Sequence, residues 1–142
     1  MLRVLFICIH NSARSQMAEE LLRRKSNGTV FTDSAGIAPG KLNPVVIDVL
    51  KAIGIDISHK KTKSMNSLLR RKEVYDYVIT VCDEASGQSC PIFPGTAKRL
   101  HWNIPDPSAF QGTYAEKYNQ TRSVMKMIEK EVDNLLSDIL AG

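Results

Sequence analysis

Cys8 and Arg14 stand with five residues between them in the run Cys8-Ile9-His10-Asn11-Ser12-Ala13-Arg14-Ser15, which joins an apolar segment to an amphipathic one. A loop in that place turns backbone N–H groups inward, the helix start behind it adds positive potential, and an arginine fork grips two oxygens of a tetrahedral oxyanion. The same field favours the thiolate of Cys8, a nucleophile. Ile9, His10, Asn11, Ser12, Ala13 and Arg14 are therefore the candidate oxyanion-binding residues. Ser15 is placed to donate a hydrogen bond to the sulfur, and Asn11 to hold the loop's shape. A cysteine and an arginine at this spacing also recur by chance, so the strand and helix on either side give the run its meaning.

The other chemistry-bearing residues lie far along the chain. Cysteine occurs three times, at Cys8, Cys82 and Cys90, an odd number too small for a disulfide scaffold. Read alone, Cys82 is a core thiol at a strand end and Cys90 a loop residue. The polar stretch between them contains Gly87 and is built to move. Asp106 stands between Pro105 and Pro107. A carboxylic acid held in so rigid a loop suits proton delivery to a leaving oxygen, the alternative being a turn aspartate that satisfies nearby N–H groups. No short Cys-x-x-Cys pair exists and His10, His59 and His101 are scattered, so no zinc or other metal site is expected.

Positioning these groups requires strands that end where they begin. Leu2 to Ile7 is a nearly continuous apolar run, the mark of a strand buried on both faces. From Arg14 to about Lys25, Met17, Ala18, Leu21 and Leu22 form one apolar face, with Glu19/Arg23 and Glu20/Arg24 spaced to pair. Val30 to Ser34 reads as a second strand. Asn43-Pro44, then Val46, Val49, Leu50 and Ile53, then Gly54 spell cap, first-turn proline, apolar face and terminal glycine. A short helix over Met65 to Lys72, strands over Tyr75 to Val81 and Ala97 to Trp102, and a last helix from about Ala115 to Leu140 complete the chain. Strands alternating with helices predict a three-layer α/β fold, a four-stranded parallel sheet with helices on both faces. Ligands of such sheets sit outside the carboxyl ends of the strands, where Cys8, Cys82 and Asp106 would all emerge.

The 142 residues, 43% hydrophobic and 24% charged, suit one globular domain over 1–142. A net charge of +4 favours anionic partners without making the chain polybasic, so nucleic acid is not expected. The apolar run Val4 to Ile9 is too short to span a bilayer and lacks a cleavage site, so no membrane association is expected and the protein reads as cytoplasmic. Lys60, Lys61, Lys63, Arg70, Arg71 and Lys72 read as a solvated basic face.

The opening run VLFICIHNSARSQMAEELL and the Ile104–Ser108 segment IPDPS resemble the low-molecular-weight protein tyrosine phosphatases and the arsenate reductases built on that fold. The resemblance implies Cys8 as nucleophile, Arg14 as oxyanion clamp and Asp106 as general acid. The VC…CP segment around Cys82 and Cys90 is similar to that of thioredoxin-coupled arsenate reductases. It implies a relay in which Cys82 attacks the Cys8 adduct, Cys90 then attacks Cys82, and thioredoxin reduces the last disulfide. Expected partners are arsenate, with phosphate and sulfate competing, and thioredoxin as external reductant. No bound cofactor is expected, and a monomer is. A phosphatase working through a Cys8 phosphoenzyme is the alternative. Phosphatases of this fold often place aromatic residues beside the acid; Ser108 follows the Pro-Asp-Pro here, leaving Phe110 and Tyr114 to line the mouth. In some relatives an acidic residue near Lys63 joins Asn11, Glu19 and Ser34 in holding a monovalent cation. A lysine would repel such an ion, so no potassium requirement is expected.

Overall fold

Strand β1, Leu2–Cys8, is buried from Val4 onward because it lies inside the sheet. The computed structural model, which describes residues 1–83 and 92–141, pairs it with β2 (Val30–Gly36) on one side and β3 (Tyr77–Cys82) on the other. Strand β4, Lys98–Asn103, adds to the far side of β3. All pairs are parallel and the order is β2-β1-β3-β4. The strand order reverses between β1 and β3, and a crevice opens there at the carboxyl edge. Strand β2 runs past the expected end at Ser34 because the ladder continues to the pair Cys8↔Gly36.

The helices are α1 (Arg14–Lys25), α2 (Pro44–Lys51), α3 (Met65–Arg70) and α4 (Tyr114–Ala141). Helices α1, α2 and α4 cover one face over a core that includes Val4, Phe6, Met17, Leu21, Val46, Leu50, Ile79 and Ile128. Among the described residues, the helix on the other face is the short α3, whose Leu68 packs with Leu5, Ile7, Val78 and Phe93. The three layers are thus present but unequal. Thr113 and Glu116 start α4 by exchanging hydrogen bonds, each side chain accepting from the other's backbone N–H. The buried positions Thr121, Val124, Met125, Ile128, Val132 and Leu135 then follow a helical stripe.

Two expectations about charge are corrected. Arg24 does not pair with Glu20; its Nη1 donates to the Ile53 carbonyl at 2.5 Å, closing the turn after α2. Arg23 takes both carboxylates, Glu19 at 2.6 Å and Glu20 at 2.5 Å. The basic stretch is not uniformly solvated either. Lys60 lies on Glu19 and Glu20, at 3.1 and 2.8 Å, and Lys63 pairs with Asp33. Arg70, Arg71 and Lys72 are exposed. No helix among the described residues is long and apolar enough to cross a membrane.

Candidate active site

Cys8 ends β1 and its sulfur is buried at the floor of the loop that follows. Ser15 Oγ lies 2.9 Å from Sγ, and the Asn11 amide points at it from 3.1 Å. Asn11 Nδ2 donates to Ser15 Oγ at 2.8 Å, leaving the hydroxyl hydrogen for the sulfur. Asn11 itself adopts a left-handed conformation, φ 54°, which asparagine tolerates better than most residues. Its Oδ1 accepts from Gln16 Nε2 and from the Lys63 backbone N–H.

The carbonyls of the loop are all engaged, three of them by the segment that wraps its outside. Ile9 O accepts from the Ala38 amide at 2.9 Å, His10 O from Gly40 at 3.0 Å and Ser12 O from Asn43 at 2.9 Å. Asn11 O takes Gln16 Nε2 at 3.1 Å, and Ala13 O the Met17 amide at 3.0 Å. A segment from Gly36 to Asn43 therefore straps the outside of the loop, and His10 Nδ1, bonded to Ala38 O at 2.9 Å, fastens it further. With the carbonyls so engaged, the loop's amides face the interior. Gly36 is where the strap touches closest. A Cβ there would stand 2.6 Å from Ile9 O and 2.8 Å from the Asn11 nitrogen. Helix α1 has no side-chain cap and no acidic residue in its first turn, so an anion would supply what its free N–H groups lack.

Across the cavity stands the acid loop. Arg14, 2% exposed, donates from Nη1 to Ile104 O at 3.0 Å and holds Nη2 3.5 Å from Asp106 Oδ2. Asp106 Oδ1 accepts from the Ser108 amide at 2.9 Å, opening a single helical turn at Pro107–Ala109. Cys8, His10, Ser12, Ala13, Arg14 and Asp106 line the narrow cleft between the two loops. Cys82, fully buried at the end of β3, accepts the Ile104 amide on its carbonyl at 2.9 Å and so anchors the start of the acid loop. The structure thus brings Cys8, Cys82, Arg14 and Asp106 to one edge of the sheet. Cys90 and Gly87 lie outside the described residues. Beside the cavity is a groove of about 330 Å³ lined in part by Lys41, Asn43, Ser108, Phe110 and Lys117. Tyr114 takes no part in it; its hydroxyl donates to Asp48.

Charges behind the loop form a group that the sequence did not disclose. Ser34 Oγ donates to Glu19 Oε1 at 2.5 Å, and the same oxygen faces Lys60 Nζ. The ammonium at Glu19 is thus that of Lys60 and not of Lys63, whose backbone serves Asn11 and whose Nζ serves Asp33. Burial pushes the Glu20 carboxyl up, but Lys60 and Arg23 outweigh it and hold it below its usual range. Among the described residues, no three His, Cys, Asp or Glu side chains converge as a metal site would require.

A buried cysteine at the floor of a loop before a helix start, faced by an arginine and an aspartate at a parallel-sheet edge, is an arrangement chemically suited to an oxyanion held over a thiol. The chain belongs to the low molecular weight phosphotyrosine protein phosphatase family, whose model matches residues 3–141. It is 34% identical over 135 residues to an arsenate reductase of Bacillus subtilis, covering 95% of this chain and 92% of that protein. Among solved structures it resembles an arsenate reductase in its phosphate-binding state, with a TM-score of 0.79, 28% identity and coverage of 98% and 99% of the two chains. A thioredoxin-dependent arsenate reductase of Corynebacterium glutamicum is 30% identical, with a TM-score of 0.61 over 94% of this chain and 62% of that one.

Proposed function

We propose that the protein reduces arsenate to arsenite through a relay of its three cysteines, with thioredoxin as the external reductant. The observation that carries the reading is the pairing of a cradled Cys8 sulfur with a second thiol, Cys82, at the end of the adjacent strand. Hydrolysis of a phosphoenzyme needs only the first. The names of the relatives support arsenate as substrate, and the phosphate-bound relative supports phosphate as a competitor.

The Cys8 thiolate attacks arsenic while Asp106 Oδ2 gives its proton to the departing oxygen, so that water leaves and a Cys8 arsenate adduct forms. Arg14 and the loop amides hold the remaining oxygens. The Cys82 thiolate then attacks the Cys8 sulfur. The sulfur–arsenic electron pair passes to arsenic, arsenite departs and a Cys8–Cys82 disulfide remains. Cys90 attacks Cys82 and frees Cys8, and the dithiol of thioredoxin supplies two electrons to the Cys82–Cys90 disulfide. A cytoplasmic setting, which keeps structural thiols reduced, suits such a transient bond. Each transfer requires Cα atoms within about 7 Å of each other.

The test is NADPH consumption in a thioredoxin system on addition of arsenate. The proposal expects arsenate-dependent oxidation that Cys8→Ser and Cys82→Ser abolish. The groove containing Phe110 favours phosphatase as the second reading: aryl phosphate hydrolysis retained by Cys82→Ser is compatible with both. Hydrolysis without any arsenate-dependent NADPH oxidation would leave the phosphatase reading alone.

A further inference from the structure

Asn43 meets the nucleophile loop, helix α2 and the acid loop at once. Its backbone N–H donates to Ser12 O at 2.9 Å. Its Oδ1 caps α2, accepting from the amides of Val45 at 2.9 Å and Val46 at 3.3 Å. The cap fixes the orientation of the side-chain amide, because only the carbonyl oxygen can accept those two bonds. Nδ2 is therefore the atom that faces outward, and it donates to Ser108 Oγ at 3.1 Å. Ser108 in turn holds Asp106 Oδ1 through its own backbone N–H, which leaves Oδ2 toward Arg14 and the cavity. A chain of contacts thus runs from the loop that carries the nucleophile, through Asn43 and Ser108, to the carboxyl that faces it.

We propose that Asn43 is a positioning residue that sets the distance between Asp106 and the oxyanion held over Cys8, by tying Ser108 to the nucleophile loop. The proposal rests on the reading of Asp106 as the acid of the reaction. The Asp106 loop has three other described ties to the rest of the site: Arg14 Nη1 to Ile104 O, Ile104 N to Cys82 O, and Arg14 Nη2 to Asp106 Oδ2 at 3.5 Å. Two of these grip it before Asp106 and the third at Asp106 itself, while buried Pro107 and core-packed Phe110 seat the turn that follows. The Asn43 bond is the described hydrogen bond that ties that turn to the segment braced on the nucleophile loop. Without that tie, Ser108 is free to shift on its packed turn, and Asp106 Oδ1, which its backbone N–H holds, shifts with it and changes the distance from Oδ2 to the leaving oxygen. Proton transfer is steeply sensitive to such displacement. The bond is exposed, so it adds little to stability, and its effect falls on geometry.

The experiment separates capping from coupling. Asn43→Ser keeps a good cap oxygen and the backbone N–H to Ser12, but its side chain is too short to reach Ser108. Ser108→Ala removes the acceptor. The readout is the single-turnover rate of arsenite formation by the pre-reduced protein, together with the arsenate concentration that gives half of it. Each variant is expected to lose about five- to tenfold in rate with half-saturation unchanged within about twofold, as for a positioning contact. The double variant should be no slower than either single one, and in an Asp106→Asn background Asn43→Ser should cost less than about 1.5-fold more. Thermal unfolding of Asn43→Ser within about 2 °C of the parent shows that the cap survives. Losses that multiply with that of Asp106→Asn, or an unchanged rate in Asn43→Ser, overturn the coupling. A parent rate in Asp106→Asn itself overturns the acid reading, and this proposal with it.

Discussion

The two sides of the cavity are built by opposite means. On the Cys8 side, the elements β1, the loop and α1 are contiguous in the chain, and every carbonyl from Ile9 to Ala13 has a hydrogen-bond partner. Arg14 to Leu22 are all buried, polar residues included: Gln16 donates to Asn11, and Glu19 and Glu20 are covered by Lys60 and Arg23. On the Asp106 side, Cys82 ends β3, Asp106 follows β4, and the loop that carries the aspartate has as its described bonds to the rest of the site Ile104 N to Cys82 O, Arg14 to Ile104 O and to Asp106, and Asn43 to Ser108. A rigid cradle thus faces a loosely tied arm. The difference suits the proposed chemistry, in which the oxyanion is held still while an acid and then a second thiol approach it in turn.

If that contrast is real, the cradle should fail on a single methyl group. Gly36→Ala drives a Cβ against backbone atoms of Ile9 and Asn11 that cannot yield without reshaping the loop. The expected cost is about 2–3 kcal/mol, typical of overpacking. Because the loop is what gives way, phosphate, expected to raise the unfolding temperature of the parent, should not raise that of this variant. A parent-like thermal shift with phosphate would show the cradle to be as compliant as the arm.

Arg14→Lys sharpens the contrast from inside the cavity. An ammonium cannot bridge two oxyanion oxygens and also hold Ile104 O, so phosphate, sulfate and arsenate should all bind less tightly, by about 2 kcal/mol or roughly thirtyfold. Protection of Cys8 from alkylation by each anion measures it. Unequal losses among the three anions would mean that they do not share one site.

Lys60→Met tests the support behind the cradle. It leaves Glu19 and Glu20 to Arg23 alone, and the expected destabilisation is about 1–2 kcal/mol at neutral pH. Glu20 is held below its ordinary value of 4.5, so the stability that this group contributes is present in full above that value and is lost as the pH falls below it. The unfolding curves of parent and variant should therefore converge as the pH is lowered from 6 to about 3. A gap that widens toward acid would reverse the sign.

The smallest effect concerns monovalent ions. With the Lys60 ammonium already on Glu19, exchanging potassium for tetramethylammonium at constant ionic strength should leave both stability and arsenate reduction unchanged. A clear potassium requirement would show that Lys60 leaves the carboxylate in solution.

The cradle was legible in the sequence and its bracing was not, for a physical reason. Cys8, Asn11, Arg14 and Ser15 are neighbours in the chain, so strand, loop and helix patterns place them without knowledge of the fold. Asn43-Pro44 announced its helix in the same local way. The strap from Gly36 to Asn43 carries no apolar period, and its bonds to the loop join residues about thirty positions apart that only the β1–β2 pairing brings together. Lys60 sits in an irregular segment where charge looks solvated. Nothing nearby in sequence shows that it meets Glu19 and Glu20, which read as partners for Arg23 and Arg24. Asp106 was visible through its two prolines, whereas the role of Ser108 in orienting it appears only once the turn is formed.

The account stands or falls on the transfer from Cys8 to Cys82, and Cys90→Ser isolates that step. Reduced Cys90→Ser protein, given arsenate with thioredoxin as the sole reductant, should release about one equivalent of arsenite and stop, because the thiol needed to resolve the next disulfide is gone. Peptide mapping by mass spectrometry should then find Cys8 joined to Cys82. Sustained turnover by this variant, or arsenite release that leaves Cys82 a thiol open to alkylation after denaturation, would contradict the relay.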